Sequence, residues 1–313
     1  MKRKVVKHGP ATSIISLPSK WAKRYGIKRG DELEVQDKGN YLLISTENQQ
    51  QSGKVSADIT GLDRTSILFL IRSLYKTGYE EIKLTFRNQS TQHKRLGKER
   101  TVISVIHEEV NRLTGLEVVQ QREDLCVIKA LSVMSYEEYD STLRRVFLML
   151  LDATSDLIKG AENNDNLALK TIQEKHDTIT KFLAFCVRVL NTKGHEDRMK
   201  NIFANQILAD IDKVLDVLKN VSRTMIELKP KVSRGSADIM RDIENIIKEF
   251  HEFFYRYDNE KITRIFDLRD DIPKRLKSEA KNMKKEELMV MSQMTGIIDL
   301  VVDMVEARMA MGH

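Results

Sequence analysis

Nine basic side chains and no acidic ones occupy the first thirty residues of this chain. They are Lys2, Arg3, Lys4, Lys7, Lys20, Lys23, Arg24, Lys28 and Arg29. Residues 1–50 hold ten basic and five acidic side chains, whereas the whole chain of 313 residues carries a net charge of only +6. A basic segment on a nearly neutral body is typical of a surface that binds a polyanion. The sequence therefore predicts such a surface at this end of the chain.

Two pairs of aspartates share one spacing in the C-terminal half. Asp212 and Asp216 lie four residues apart, and so do Asp299 and Asp303. Residues i and i+4 point from one face of a helix, so both carboxylates of a pair can reach one site. Oxygen ligands of this kind suit a divalent cation or an iron- or zinc-type metal. Because each pair flanks an apolar stripe, the alternative is a solvated pair of carboxylates.

No arrangement of residues typical of catalysis stands out. The chain has no HExxH, GxSxG or Walker-type motif, and its seven histidines are scattered. His176, between Glu174 and Asp177, is interpreted as a surface histidine. Cys126 and Cys186 stand in apolar surroundings and are interpreted as buried thiols in a reducing compartment. We therefore expect a protein that is not an enzyme and has no catalytic residues.

Short strands around one short helix are predicted over residues 1–47. The strand patterns are Lys4–Lys7, Thr12–Leu17, Glu32–Gln36 and Tyr41–Ser45, and the helix pattern is Pro18–Tyr25. Pro18 opens this helix and Gly26 ends it, while Asp37–Asn40 has the composition of a hairpin turn. A segment of about 47 residues with so few large apolar side chains does not close a core alone. We expect two copies to exchange strands.

A small α/β domain is predicted over residues 54–131, in the order β-α-β-α-β-β. The strands are Val55–Ile59, Glu81–Phe86, Leu116–Gln121 and Leu125–Leu131, and the helices are Asp63–Lys76 and Thr101–Leu113. Asn88–Lys98 is interpreted as a polar loop. The segment contains no glycine-rich phosphate-binding loop.

Residues 135–313 are predicted to be helical throughout. Apolar side chains recur there at intervals of three and four, which buries one stripe of each helix. Turn signals at Gly160–Asp165, Thr192–Glu196, Pro230–Gly235, Tyr257–Glu260 and Met283–Glu286 divide the region into six helices. Pro273 is expected to kink or interrupt the fifth helix. The short motif apolar-Asp-x-x-x-Asp recurs on the third and sixth helices, which favours two copies of a three-helix unit.

The composition indicates a soluble protein of several domains. Hydrophobic residues make up 41% of the chain and charged residues 31%. The N-terminus has no apolar run of the kind that follows the basic start of a signal peptide. No uninterrupted apolar run reaches the roughly 18 residues that cross a bilayer. We expect a cytoplasmic protein without membrane insertion.

Residues 2–46 resemble the AbrB/MazE/SpoVT family of swapped-hairpin domains. The resemblance is carried by the early Gly9, by Leu17-Pro18 at the start of the short helix and by Gly30-Asp31 before a strand. It implies an intertwined homodimer that binds double-stranded DNA through basic residues of the first strand and the short helix. Arg3 matches the basic position of that strand, and Lys23 lies in that helix.

Four further DNA-binding candidates follow from charge rather than from the resemblance. They are Lys4, Lys7, Lys20 and Arg24. Pro10 follows Gly9 where the family often has a basic residue, so contacts with phosphates and with DNA shape are expected to outweigh base reading. Two alternatives stay open: these cations only keep a dimerisation module soluble, or the module holds a partner protein as an antitoxin does.

Residues 135–312 are similar to the PhoU family of phosphate-uptake regulators. The basis is six helices in two units with an acidic motif on the third helix of each, Asp212 with Asp216 and Asp299 with Asp303. The resemblance implies a regulator of phosphate transport whose carboxylates hold metal ions.

The combined interpretation is a dimeric DNA-binding transcription regulator of phosphate uptake or homeostasis, similar to archaeal regulators of that type. Its expected parts are an AbrB-like domain at 1–47, a small α/β domain at 54–131 and a PhoU-like domain of two three-helix bundles at 135–313. The helical part would sense a state or dock a phosphate-transport or signalling protein. The alternative is an adaptor that regulates a transporter or sensor kinase by protein contact and uses residues 1–47 only to dimerise.

Overall fold

The computed structural model describes residues 2–37, 41–46, 53–131, 135–194 and 198–312. The chain divides into two compact units, Met1–Gly53 and Lys54–His313. The first unit coincides with the basic segment, and the second contains both the α/β and the helical segments.

Two antiparallel hairpins and one short helix make up the first unit. Its elements are β1 (Val5–His8), β2 (Thr12–Ile15), α1 (Ser19–Arg24), β3 (Leu33–Asp37) and β4 (Leu42–Thr46). β1 pairs with β2 around Gly9, whose φ of +78° favours glycine in this turn. β3 pairs with β4, and the predicted turn between them at 38–40 lies outside the described residues. The four predicted strands and the helix are confirmed.

The second unit begins with a mixed four-stranded sheet that carries two helices. The elements are β5 (Lys54–Asp58), α2 (Arg64–Thr77), β6 (Glu81–Thr85), β7 (Ser90–His93), β8 (Lys98–Thr101), α3 (Val102–Val110), β9 (Leu116–Gln121) and β10 (Leu125–Ala130). The strand order is β5-β6-β10-β9, with β5 parallel to β6 and the other pairs antiparallel. Asp63 and Thr101 cap α2 and α3 by accepting bonds from backbone N–H groups.

The interpretation of Asn88–Lys98 as a loop was wrong. Most of it belongs to an antiparallel hairpin, in which β7 and β8 pair from Ser90 opposite Thr101 to His93 opposite Lys98. A short 3₁₀ turn at Lys94–Leu96 and Gly97 in the left-handed region join the two strands. The strands STQH and KERT are polar on both faces, so no apolar alternation marked them in the sequence.

In the described residues from 135 to 312, the second unit continues with six long helices. They are α4 (Tyr136–Asn163), α5 (Asn166–Thr192), α6 (Arg198–Leu228), α7 (Arg234–Tyr255), α8 (Asn259–Glu279) and α9 (Lys285–Ala310). Consecutive helices pack together within α4–α6 and within α7–α9, and the two sets join along α6–α9 and α4–α7. Their buried apolar side chains form a core that is continuous with that of the α/β segment.

The fifth of these helices passes through a proline. α8 runs from Asn259 to Glu279 and includes Pro273, so of the two predicted outcomes the interruption was wrong, and a kink stays a prediction. A proline removes one backbone bond from a helix. The helix packs against α7 and α9 around Pro273, with Ile265 and Ile272 fully buried before it and Leu276 partly buried after it. Tertiary packing thus outweighs the local penalty.

By length and composition, α9 alone among the described helices is long and apolar enough to cross a membrane. In the structure it packs against α6, α7 and α8 and buries residues along its length, from Val290 to Val305. This is the pattern of a core helix in a bundle.

A buried arginine joins the α/β segment to the helices. Arg188 of α5 is 4% exposed, and its guanidinium donates to the carbonyl oxygens of Tyr75 at 2.6 Å and Tyr79 at 2.9 Å. The same group lies 4.8 Å from the centroid of the Tyr75 ring. Gly78 ends α2 here with φ +105°, and an added Cβ would lie 2.4 Å from Thr192 Cγ2. The backbone of the α2–β6 turn therefore lies directly on α5.

Replacing Arg188 with alanine is expected to destabilise the protein by about 2–4 kcal/mol, because two buried carbonyls lose a charged donor. The measurement is urea-induced unfolding followed by circular dichroism. Arg145→Ala is the matched control, since this exposed arginine only lies over the Phe182 ring at 5.4 Å and should cost about 0.5 kcal/mol. Equal losses in the two variants would contradict a structural role for Arg188.

Candidate nucleic-acid interface

The six predicted DNA-binding residues all lie in the first unit and all are exposed. Arg3 and Lys4 directly precede β1, and Lys7 is on it. The other three, Lys20, Lys23 and Arg24, are on α1, which begins after Pro18 and has no acidic residue in its first turn. The sequence therefore places basic side chains on one strand and one helix of the same small unit.

Many apolar side chains of the first unit are exposed as well. Val5 and Val6 are 68% and 61% exposed, and Val35 and Leu42 are 57% and 58% exposed. No side chain described between residues 2 and 44 is buried. Trp21 is half-buried beside Tyr25, with ring centroids 5.6 Å apart. A single copy of this unit thus has no hydrophobic core, in agreement with the expectation from its length and composition.

The predicted metal ligands of α6 have protein partners. Asp216 Oδ1 lies 3.1 Å from His176 Nε2 and also pairs with the Lys219 ammonium. Asp212 Oδ1 lies 3.5 Å from the Thr180 hydroxyl on α5. The hydrogen bond from His176, reinforced by the charge of Lys219, holds the pKa of Asp216 well below its usual range. A metal ion at Asp216 would compete with these two groups.

The second pair of predicted ligands is exposed on α9. Asp299 faces a shallow pocket that Arg269, Pro273 and Lys277 also line, and Asp303 lies one turn further along the helix. Within the described residues, no three His, Cys, Asp or Glu side chains form a group that could hold a metal ion. Metal binding at the four aspartates therefore stays a prediction that rests on their spacing and on the PhoU resemblance.

His176 is buried, and its interpretation as a surface histidine was wrong. It is 9% exposed, with Nδ1 3.1 Å from Asp177 Oδ1 and Nε2 2.9 Å from Lys219 Nζ. Asp177 also accepts a bond from Arg112, which follows α3, at 2.7 Å. Two of the three partners of His176, Asp216 and Lys219, come from α6, about 40 residues further along the chain, so the local pattern around His176 could not predict its burial. Cys126 and Cys186 are buried free thiols, as expected.

A second concentration of basic side chains was missed by sequence reasoning. Residues 87–100, which include most of the β7–β8 hairpin, carry five basic side chains and one acidic side chain. They are Arg87, Lys94, Arg95, Lys98 and Arg100, with Glu99. The same count of charges that revealed the N-terminal segment would have found this one. It was passed over because the stretch was interpreted as an ordinary polar loop.

Comparison with known proteins identifies one part of the chain. Residues 9–51 match the family model described as antidote-toxin recognition MazE, bacterial antitoxin. No curated protein and no solved structure matches the chain. The match confirms the AbrB/MazE-like resemblance of the first unit, which is a domain of antitoxins or DNA-binding regulators. The PhoU resemblance and a phosphate-related role receive no such support.

Replacing Asp216 is expected to cost more stability than replacing Asp299. Asp216→Asn loses its charge contacts with His176 and Lys219 and should cost about 1 kcal/mol at neutral pH. Because the bond from His176 holds the pKa of this carboxyl below its ordinary value in the folded state, its contribution is fully present above that ordinary value and is lost as the pH falls toward the lowered pKa. Urea titrations at several pH values measure the difference from the wild type.

Asp299→Asn serves as the control and should change stability by less than about 0.5 kcal/mol at every pH. Metal analysis of the same purified variants tests the metal prediction. Lower metal content in both variants than in the wild type would support ligation, and equal content in all three proteins would exclude these two aspartates as ligands.

Proposed function

We propose that this protein is a dimeric, cytoplasmic transcription regulator that binds double-stranded DNA through its first unit. The observation that carries the proposal is an acid-free run of nine basic residues within the first thirty, on a unit whose apolar side chains are exposed. The exposed apolar surface requires a cover, and a second copy of the same unit supplies one. The basic residues then come from both copies.

A dimer of this unit would double the basic set. Each copy contributes Arg3, Lys4 and Lys7 near β1 together with the three cations of α1. Contacts between Lys or Arg and phosphates dominate the affinity of proteins for duplex DNA. A two-fold arrangement fits a pseudo-palindromic site. Pro10 rather than a basic residue follows Gly9. Contacts with DNA phosphates and recognition of DNA shape would therefore contribute more to binding than direct contacts with bases.

The helical segment is proposed to sense a state or dock a partner, with phosphate status as the signal that the PhoU resemblance implies. A ligand, metal or partner there would change the geometry of the dimer and with it the spacing of the two basic faces. DNA footprints of the full chain with and without phosphate or metal test this step. Identical footprints under all conditions would count against it.

A second candidate is the binding of a partner protein by the first unit. The matched family is described by toxin recognition, and a partner protein could cover the exposed apolar side chains instead of a second copy. The related adaptor hypothesis uses the unit only to dimerise. Neither needs the acid-free basic run. Retention of the protein on duplex DNA and its release by salt favour the regulator.

The affinity for duplex DNA is expected to fall steeply with salt. About six phosphate contacts would lower the affinity about 10³-fold between about 50 and 200 mM salt. Arg3→Ala combined with Lys23→Ala removes four cations from a dimer and should reduce the slope of log K against log salt by about 3–4. Fluorescence anisotropy with labelled duplex measures both quantities.

Lys159→Ala combined with Lys274→Ala is the control, because both lysines are exposed on helices of the second unit. This variant should leave affinity and slope nearly unchanged. An affinity that barely responds to salt, or equal behaviour of the two double variants, would contradict DNA binding by the first unit.

Charges placed on the exposed apolar face are expected to separate the dimer. Val6 and Ile14 lie opposite each other across the β1–β2 hairpin and are 61% and 44% exposed. Val6→Asp with Ile14→Asp would lose about 1.5–3 kcal/mol per apolar side chain and bury two charges. Sedimentation velocity should show monomers. Leu148→Asp with Leu167→Asp, at exposed helical leucines, should stay dimeric; a monomeric wild type would disprove the assembly.

A further inference from the structure

The β7–β8 hairpin presents its cations at an exposed tip. Lys94, Arg95 and Lys98 surround the turn, and the Lys94 side chain is 79% exposed. Leu96 between them is 61% exposed. Gly97 closes the turn with φ +61°. The connection between the two strands is therefore short, and the side chains of its few residues project at the tip.

The base of the hairpin is fixed to the body of the second unit. Thr91 is 6% exposed, and its hydroxyl donates to the Leu62 carbonyl at 2.7 Å. Arg100 lies 3.6 Å from Glu108, which also pairs with Arg64. Val102 N–H donates to the Gln89 carbonyl at 2.9 Å. These contacts fix the two strands to the second unit, so the tip cations project from a hairpin with a fixed base.

The tip cations are little used to neutralise acidic side chains of the protein. Lys94 forms a loose ion pair with Asp63 at 3.6 Å, and its side chain stays 79% exposed. Within the part of the chain that the structure describes, neither Arg95 nor Lys98 forms an ion pair with an acidic side chain. Arg100, at the base of the hairpin, pairs with Glu108 at the same distance and is less exposed, at 43%. Arg95 and Lys98 are therefore available to an external partner, and the more exposed Lys94 can join them by leaving its loose pair with Asp63.

The distribution of charge identifies that partner as a polyanion. Residues 1–50 carry a net charge of +5 and residues 87–100 a net charge of +4, while the whole chain carries +6. The remaining residues thus have a small net negative charge, and the hairpin is a local exception. A basic β-ribbon fits a groove of duplex DNA, where its cations reach phosphates on both sides.

A small phosphate compound fits this place less well than an extended polyanion. The N-terminus of α2 lies beside the hairpin, and its free N–H groups would ordinarily attract an anion. Asp63 occupies that position as the N-cap and accepts from Ser66 N–H at 2.8 Å. These bonds lower the pKa of the Asp63 carboxyl and keep it charged. The shallow pocket lined by Asp63, Ser66 and Lys94 therefore contains a fixed negative charge.

We propose that the tip of the β7–β8 hairpin is a second DNA-binding element, which contacts duplex phosphates through Lys94, Arg95 and Lys98. The inference rests on the proposed function of the chain as a DNA-binding protein. It assigns to the α/β segment a role in holding the hairpin. The hairpin adds phosphate contacts to those of the first unit and thereby extends the length of duplex that one molecule covers.

The test compares four full-length proteins by anisotropy titration of a labelled duplex over a range of salt concentrations. They are the wild type, a hairpin variant with Lys94→Ala, Arg95→Ala and Lys98→Ala, the first-unit variant with Arg3→Ala and Lys23→Ala, and a control with Lys159→Ala, Lys170→Ala and Lys274→Ala. The control removes the same number of exposed helical lysines as the hairpin variant removes cations. Circular dichroism and thermal midpoints verify that all four are folded.

The hairpin variant is expected to bind about tenfold or more weakly at moderate salt, and its slope should fall by about 3 per hairpin that reaches the duplex. Its hydroxyl-radical footprint should be shorter than that of the wild type, and the control should match the wild type. If the hairpin variant matches the control while the first-unit variant is weakened, the hairpin proposal is overturned and the proposed function stands.

Two further outcomes overturn the proposal. If the wild type has no salt-sensitive affinity for duplex, both the hairpin proposal and the proposed function fail. Flotation with anionic phosphatidylserine vesicles is run in parallel. If the hairpin variant loses vesicle binding but keeps the DNA affinity of the control, the tip serves a membrane surface instead of DNA.

Discussion

The burial of apolar surface is the constraint on which the rest of this molecule depends. In the second unit, helices and sheet cover one another, and large side chains such as Tyr75, Phe147 and Phe250 are fully buried. In the first unit, no described side chain is buried, although Val5 and Val6 alternate on a paired strand. Burial contributes roughly 25 cal/mol per Å², so this unit becomes stable only when another surface covers it. Whatever surface covers the apolar side chains of the first unit also determines how its basic residues are arranged.

Polar side chains help to determine how the α/β segment packs on the helices. Arg188 reaches the turn after α2, and the partly exposed Arg112 reaches Asp177 on α5. Within the α/β segment, the fully buried Glu109 is paired with Arg72 at 2.7 Å. A buried charge without a partner is costly, so Arg188 and Glu109 accept few alternative arrangements. The contacts of Arg188 and Arg112 favour one packing arrangement of the two segments more strictly than apolar contacts alone would.

The sequence predicted the elements well and their long-range contacts poorly. Helix boundaries between residues 136 and 310 followed from turn residues and periodicity, because local signals of this kind act within one turn of a helix. The hairpin at 90–101 was missed because its strands have no apolar face. The burial of His176 and the continuity of the helix through Pro273 were not foreseen, because packing against distant segments decides both. Of the candidate site, the N-terminal cations and the lack of a closed core followed from composition and length, whereas the cations of the hairpin were missed together with the hairpin itself.

The positive charge of the molecule is concentrated in two segments rather than spread over its surface. Outside residues 1–50 and 87–100, acidic side chains slightly outnumber basic ones. Many of them pair on helix surfaces, as Lys175 does with Asp156 and Arg275 with Asp242. Paired surface charges contribute little field at a distance, especially in physiological salt. The positive charge that acidic side chains do not offset is thus concentrated in the first unit and at the tip of the hairpin. A nearly neutral protein can in this way bind a strongly charged partner without binding it over its whole surface.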